Sequence, residues 1–415
     1  MQVVKKVLIK IATFLLNLLV MSISLIIPKT DQIVIVGGWF GKRFADNSKY
    51  FFLYANQQKE ELKLKRIIWI TRSDSIIEEL KENGFEAYKA WSVYSIWFHL
   101  RAKVHLIDQS IYDINPFFSV RSKRIYLWHG FPLKKVGLFM GGESTNGIKF
   151  GLLVIKKLLK YCIPGFWGKR KLLATSEFSS DVLGKAFEIP VEDIIISAYP
   201  RNYEPFTSLP IKYYSKKEKE HKLLIQQVKN NGYKIIGYIP TFRDKKATKL
   251  FGTSSQDELR DFFSYLATKN IAVVGKFHFV AESNSNLFKS DNFIVLPQDV
   301  DIYSFISDID ILITDYSSIY FDYLLWRKPI IFFPYDFEYY RDYDRGLIFE
   351  YDEFTPGPKV YNLSSLKELF EEDIVDFVES YNRKYENQSF ILSKKIFDDP
   401  MKMDIKHFMK QIEKI

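Results

Sequence analysis

The 415 residues contain one cysteine, Cys162. That excludes a disulfide framework and a cysteine-based zinc site, and it fits a reducing compartment. Six histidines are present, and no two form an HxxxH pair that would share a helical face. There is no glycine-rich Walker loop, so the chain is not an ATPase of that class. Internal repeats and low-complexity tracts are missing as well. Charge is missing from Ile11 to Ile27, directly after Lys5, Lys6 and Lys10.

What is present is aromatic and basic. Aromatic residues make up 17% of the chain, with 36 Phe and 26 Tyr, and the formal net charge is +9. Such a balance suits an anionic partner: nucleic acid, a membrane surface or a phosphorylated substrate. The uncharged N-terminal run would be roughly 26 Å long as a helix, at the short limit for a bilayer span. It ends in IIPKTDQIVIVGG, without a small-x-small cleavage site, and passes straight into a strand. A helix lying at the cytoplasmic membrane interface fits best; a true span and a helix buried in the first domain are the alternatives. The segment 148–171, IKFGLLVIKKLLKYCIPGFWGKRK, is a second candidate for the interface. Basic Lys156, Lys157, Lys160, Lys169, Arg170 and Lys171 accompany Phe150, Leu153, Val154, Ile155 and Leu158, with Trp167 near the end. A helix packed on the first domain is the alternative there.

After Pro28 short β-rich runs alternate with helical stretches. QIVIVGG, RIIWIT, KVHLID, RIYLWH, KLLATS and DIIISA are followed, beyond a charge-dense KYYSKKEKEHK, by KIIGYIPT, IAVVGKFH, NFIVLPQ, DILITD and PIIFFPYD. Alternation of this kind predicts parallel sheets covered on both faces, here as two successive doubly wound α/β units. The expected division is a membrane-associated helix over 1–27 and a Rossmann-like domain over 28–206. A linker and first helix follow over 207–232, then a second Rossmann-like domain with a helical tail over 233–415.

In open α/β sheets, ligands bind beyond the carboxyl ends of the strands. The residues there include WHGFPLKK, PTFRD, GKFHF and TDYSSIYFD. These predict an inter-domain cleft lined by His129, Arg243, His278, Ser317 and Ser318. Each has a plainer reading. Ser317 and Ser318 open a helix, where they could cap it or help its free amides bind phosphate. Arg243 could pair with Asp244. Lys276 and His278 stand two apart, on one side of an extended segment, and His278 could be a core histidine. Lys134 and Lys135 could attract a polyanion or lie in a solvated turn. The Asp-x-Asp pairs at 299/301, 308/310 and 342/344 would suit a metal-dependent glycosyltransferase. They lie before a strand or in polar loops, so no metal site is assigned.

Taken in order, WHGFPLKKVG, ATSEFSSDVLGKAF, AYPRNY, GYIPTFRD, KFHF and DIYSFISDIDILITDYSSIYFDYLLWRKPIIFFPYD resemble the CDP-glycerol glycerophosphotransferase family. Its members are the teichoic-acid primases and polymerases and related capsule enzymes. The resemblance runs from about Gly37 to Pro358. It implies a GT-B-like α/β fold of two Rossmann-like domains and monotopic attachment to the cytoplasmic face of the cell membrane. It implies transfer of an alditol phosphate from CDP-glycerol or CDP-ribitol to a lipid-linked or polymer acceptor, with CMP leaving. No cofactor is expected, since the CDP-alditol is a substrate; a metal requirement stays open.

Either histidine, His129 or His278, is a candidate general base. Arg243, Ser317, Ser318, Asp315, Asp322 and Lys276 are expected on the substrate. Three positions depart from the family pattern: Phe131 where Thr is usual, Ala198 where Gly precedes YPRN, and Tyr203 where Asp follows PRN. A GT-B enzyme using a nucleotide sugar and a non-catalytic module binding anionic membrane are the competing readings. No nucleic-acid motif interleaves the aromatics with basic residues, so nucleic acid is not expected as a partner.

Overall fold

Val34, Ile35 and Val36 are fully buried, and so are Ile68, Trp69 and Ile70 of the next strand. Runs this apolar are needed where helices cover both faces of a parallel sheet. The structure, a computed structural model, describes residues 2–141, 169–207, 209–246, 248–277, 288–398 and 404–414. His278 and residues 148–168 of the second candidate membrane segment lie outside the described residues; its last three residues begin a strand.

The chain divides into two units. The first holds strands β1 (Thr30–Gly37), β2 (Arg66–Thr71), β3 (Glu86–Lys89), β4 (Ala102–Ile107), β5 (Lys123–Tyr126), β6 (Lys169–Ala174) and β7 (Ile194–Ile196). Their order is β3-β2-β1-β4-β5-β6-β7, with every pair parallel. Only β3 was absent from the strands expected. It is a half-buried edge strand, and EAYK has no apolar run to signal it. Helix Asp46–Gln57, expected from NSKYFFLYANQQ, is buried without a break from Asp46 to Ala55.

The second unit holds β8 (Lys234–Tyr238), β9 (Ile271–Gly275), β10 (Phe293–Val295), β11 (Ile311–Thr314) and β12 (Ile330–Phe332). Their order is β10-β9-β8-β11-β12, again all parallel. Side chains alternate between two cores: Ile236, Tyr238 and Val273 on one face, Ile235, Ala272 and Val274 on the other. In each sheet the connections reverse direction between the first strand and the fourth of its unit. The carboxyl ends of β1 and β4, and of β8 and β11, are therefore the topological switch points.

Two segments fall differently from the sequence-based division. Gly130–Met140 belongs to the second unit. Its backbone pairs there, Ile348 N donating to Leu133 O at 2.9 Å and Lys135 N to Gly346 O at 3.2 Å. The end of the helical tail belongs to the first unit. Helix Ile405–Glu413 buries Ile405, Phe408, Met409 and Ile412, and Phe408 meets Phe51 edge-on at 5.7 Å. A helix with so sharp an apolar face docks wherever matching surface is available, which its sequence position does not reveal.

Helix Gln2–Ile26 packs on the first unit. Val20 clusters with Leu100 and Val120, joined by Leu16, Met21 and Ile96. Among the described residues it is the one helix long and apolar enough to cross a membrane.

Two buried histidines in the first unit carry a pH signature. The His99 and His105 rings meet edge-to-face at 5.2 Å. Nδ1 of His99 lies 2.6 Å from the Ser95 carbonyl, and Nε2 accepts from Asn115 N at 3.3 Å, which defines a neutral tautomer. Burial pushes the His99 pKa down to about 4, and pushes His105 well below its ordinary value. The folded pKa thus lies beneath the unfolded value near 6.5. Stabilisation from the neutral ring is full above pH about 6.5 and is lost as pH falls toward 4. Urea unfolding followed from pH 7 to pH 4.5 should lose on the order of 2 kcal/mol through His99. His99→Gln, which cannot titrate, should have a shallower slope over that window.

Candidate functional site

At the second switch point, three loops converge on one guanidinium. Arg243, past β8, is buried. Its Nη2 lies 2.8 Å from Asp315 Oδ2, past β11, and 2.8 Å from Asp336 Oδ1, past β12. Nε donates to Asp336 Oδ2 at 3.0 Å, so Asp336 is held by two parallel bonds. The rings of Tyr316, Tyr335 and Tyr340 surround the guanidinium at 5.0, 5.2 and 5.1 Å. Burial opposes the charge of Arg243, but the two aspartates overcome it and raise its pKa above the ordinary value. Burial likewise disfavours the Asp336 carboxylate, and Arg243 and Lys246 reverse the effect, holding its pKa low.

Asp315 also accepts Thr241 N at 2.8 Å and Tyr316 N at 2.5 Å, closing the turn after β11. Ser317 and Ser318 follow, both half-buried, and open a five-residue helix, Ile319–Tyr323. Ser318 makes no capping bond, so its hydroxyl is not spent on the helix end. Asp322, one turn later, is buried and accepts from Tyr303 Oη at 2.8 Å. Lys276, past β9, donates to the Pro297 carbonyl. Asp244 pairs with Arg345, Nε to Oδ2 at 2.5 Å, and not with Arg243.

Lys134 joins this unit through the segment that follows WHG. Burial pushes its amine down to about 8, aided by Arg345 and opposed by Asp315. Lys134 is therefore part of a charged cluster, whereas Lys135 is exposed. Phe131 is buried edge-on to Phe321 at 5.1 Å and stacked with Phe349 at 5.7 Å. An aromatic ring at this position fills an apolar pocket.

His129 stands in the first unit, past β5. The backbone that presents it is unusual: Trp128 has φ 59° and Gly130 φ 126°. A left-handed tryptophan persists only where its surroundings hold it. Trp128 N donates to the Asp108 carbonyl at 2.8 Å, and its carbonyl accepts from Asn47 Nδ2 at 2.8 Å. Asn47 Oδ1 in turn accepts Arg201 N at 3.3 Å. Arg201 Nη1 forms a buried ion pair with Asp46 at 2.5 Å. The Trp128 ring lies 4.0 Å from the half-buried His129 ring and 4.5 Å from Phe187.

Gly38 lets this switch point close. A Cβ there would lie 2.3 Å from Asp108 Oδ2. Burial, then Asp46 and Asp113, raises the Asp108 pKa well above the carboxylate range. Tyr203, in the PRNY turn, packs on Tyr54 at 5.4 Å. Ala198 is buried nearby in sequence and its carbonyl faces the Tyr203 hydroxyl. These two departures from the family pattern thus form part of one packed turn.

The structure brings Arg243, Asp315 and the Ser317–Ser318 turn together. Sequence reasoning missed Asp336, Tyr335 and Tyr340 beside them, and the Asp46–Asn47–Arg201 clamp under Trp128. The quoted motifs PIIFFPYD and AYPRNY contained three of these residues, Tyr335, Asp336 and Arg201. Three carboxylates of the Asp-x-Asp pairs are engaged elsewhere: Asp299 with Lys217, Asp308 with Lys222, Asp310 with Lys229 and Ile235 N.

Comparison with known proteins places these motifs in context. The family model for CDP-Glycerol:Poly(glycerophosphate) glycerophosphotransferase matches residues 19–391. A teichoic acid poly(glycerol phosphate) polymerase of Bacillus spizizenii is 26% identical over 370 residues, covering 85% of this chain and 87% of that protein. One of Staphylococcus epidermidis is 25% identical over 384 residues, covering 85% of this chain and 48% of that protein, so the chain spans about half of it. Among solved structures, the wall teichoic acid polymerase TagF superposes with a TM-score of 0.70 at 19% identity, covering 99% of this chain and 95% of that one. That likeness shows the expected GT-B-like α/β fold.

Replacing Arg243 with Lys keeps a charge but removes the planar fork that Asp336 requires. The second unit should lose about 2–4 kcal/mol, several degrees in Tm by calorimetry. Unchanged melting would mean that the carboxylates do not depend on the guanidinium.

Proposed function

The chain belongs to the CDP-glycerol:poly(glycerophosphate) glycerophosphotransferase family, and from that premise we propose that it transfers an alditol phosphate from a CDP-alditol to a lipid-linked or polymer acceptor. The acceptor is extended in teichoic-acid or capsule synthesis, at the cytoplasmic face of the membrane. In this reaction an acceptor hydroxyl oxygen attacks the β-phosphorus of CDP-glycerol or CDP-ribitol. The bond from that phosphorus to the bridging oxygen breaks, CMP leaves, and the hydroxyl proton passes to a base.

The observation that carries the reading is the Trp128–His129–Gly130 turn. A histidine is held beyond a parallel strand by a backbone that costs free energy to maintain. We assign His129 as the base. Ser317 and Ser318, the latter with a hydroxyl not spent on capping, are assigned to the donor phosphates, and Lys276 is assigned to the substrate with them. Arg243 and Asp315 set the turn from which those serines project, and Asp322 braces the helix behind them. His278 remains a second candidate for base or phosphate donor.

CMP release from CDP-glycerol, CDP-ribitol and a UDP-sugar control, with a lipid-linked acceptor, tests the reaction. His129→Ala should lower turnover by roughly two to four orders of magnitude while the circular dichroism spectrum is preserved. Wild-type turnover in that variant would remove His129 from the chemistry. UDP release in place of CMP would overturn the donor class.

A further inference from the structure

The division of the chain falls between His129 and Gly130, so Lys134 belongs to the second unit. Contacts on both sides hold it there. Phe131 meets Phe321 edge-on at 5.1 Å, and Phe321 lies in the short helix that Ser318 opens. Leu133 O accepts Ile348 N at 2.9 Å and Lys135 N donates to Gly346 O at 3.2 Å, with Lys134 bridged to Leu347 between them. A residue fastened in this way is not in a solvated turn, and Lys134 is half-buried. Successive side chains of an extended segment point to opposite sides, and neighbouring Lys135 is exposed.

Three elements place charge around the Lys134 amine. The turn after β8 brings Arg243 and Asp244, the turn after β11 brings Asp315, and the paired segment brings Arg345. Both carboxylates are already engaged. Asp315 Oδ2 lies 2.8 Å from Arg243 Nη2, and Oδ1 accepts two turn amides. Asp244 is held by Arg345 through two bonds, at 2.5 and 3.2 Å. Neither carboxylate forms an ion pair with Lys134, so among the described residues its amine has no anion of its own.

For a lysine with only a structural task that arrangement is costly, because a desolvated cation is uncompensated until an anion meets it. Burial first, then Arg345, lower the amine's pKa to about 8, and Asp315 resists. The amine is still charged at neutral pH. Thr241 stands beside the same carboxylate, its N donating to Asp315 Oδ1 at 2.8 Å. It is buried too, and its hydroxyl has no partner among the described residues. A charged donor and a spare hydroxyl, in the unit that holds Ser317 and Ser318, suit a phosphate oxygen.

We propose that Lys134 binds the donor: its ammonium contacts a phosphate oxygen of the CDP-alditol diphosphate, with Thr241 beside it, and donor affinity requires that the amine be charged. The inference rests on the reaction proposed above and adds a donor contact from the segment that follows His129. Arg243 and Arg345 repel the ammonium in the free chain, and an incoming diphosphate offsets that repulsion. The donor-free amine loses its proton near pH 8, and a bound phosphate raises that value. Donor binding is therefore strongest below pH 8, weakens above it, and takes up a proton there.

Titration calorimetry of the full chain with CDP-glycerol and CDP-ribitol, at pH 7 and pH 8.5 in buffers of different ionisation enthalpy, tests it. Both donor phosphates are diesters and do not titrate in this window. The parent should bind about fourfold more weakly at pH 8.5 and take up roughly three-quarters of a proton per donor there. Lys134→Arg, whose guanidinium stays charged, should show neither effect, which separates Lys134 from a histidine protonated on binding. Lys134→Met should bind roughly ten- to a hundredfold more weakly at pH 7 with the parent's Tm, and Lys135→Met should bind as the parent does. The inference alone is overturned if the parent releases CMP yet takes up no proton at pH 8.5, or if Lys134→Met binds the donor as tightly as the parent. A parent that neither binds a CDP-alditol nor releases CMP would overturn the reaction, and the inference with it.

Discussion

A parallel sheet must be covered on both faces, and that constraint decides where this chain can put polar chemistry. Helices and apolar side chains cover most of both sides of β1 to β7 and of β8 to β12, which leaves little room there for charged groups. What remains open is the carboxyl edge, where the backbone leaves the ladder and its amides need new partners. Asp315 accepts Thr241 N and Tyr316 N there, and Asp113 accepts Phe40 N and Gln109 N in the first unit. The same carboxylates that satisfy turn amides also set the electrostatics of the switch points.

Those switch points are built around buried arginines, Arg243 with Asp315 and Asp336, and Arg201 with Asp46. A buried ion pair is a poor source of stability, because desolvation offsets much of the attraction. Its value here is geometric. The Arg243 fork admits one arrangement of the loops after β8, β11 and β12, and so sets where Ser317 and Ser318 stand. Arg201 and Asp46 do the same for Asn47, which holds the Trp128 carbonyl and with it the strained turn before His129.

The N-terminal helix departs from the usual pattern of a surface helix. Its composition alone allows an anchor, a span or a core helix, since all three are apolar. Asn17 and Ser24 turned inward, with leucines turned outward, show which side of the helix packs on the first unit.

Much of the architecture was legible in the sequence, because it follows from local periodicity. QIVIVGG, RIIWIT and ILIT are runs that only a covered sheet can bury, and NSKYFFLYANQQ and QDELRDFFSYLATKN lie between such runs as helices. The strand-end rule then picked out His129, Arg243, Ser317 and Ser318 without coordinates. Edge strand β3 was not legible, because EAYK takes its conformation from β2.

Partnerships across the chain could not be read at all. Asp336 is 93 residues from Arg243, and Asp46 is 155 from Arg201. Nothing in the neighbourhood of either arginine names its carboxylate. Arg243 next to Asp244 even suggests the wrong pair, since adjacent residues on an extended segment point apart. Periodicity is a property of neighbours along the chain, so the sequence by itself determined the strands, the helices and the edge at which chemistry would sit. Ion pairing and packing depend on distance in space, so only the tertiary structure decided which charges meet, which way the N-terminal helix faces, and that the segment after His129 folds into the second unit.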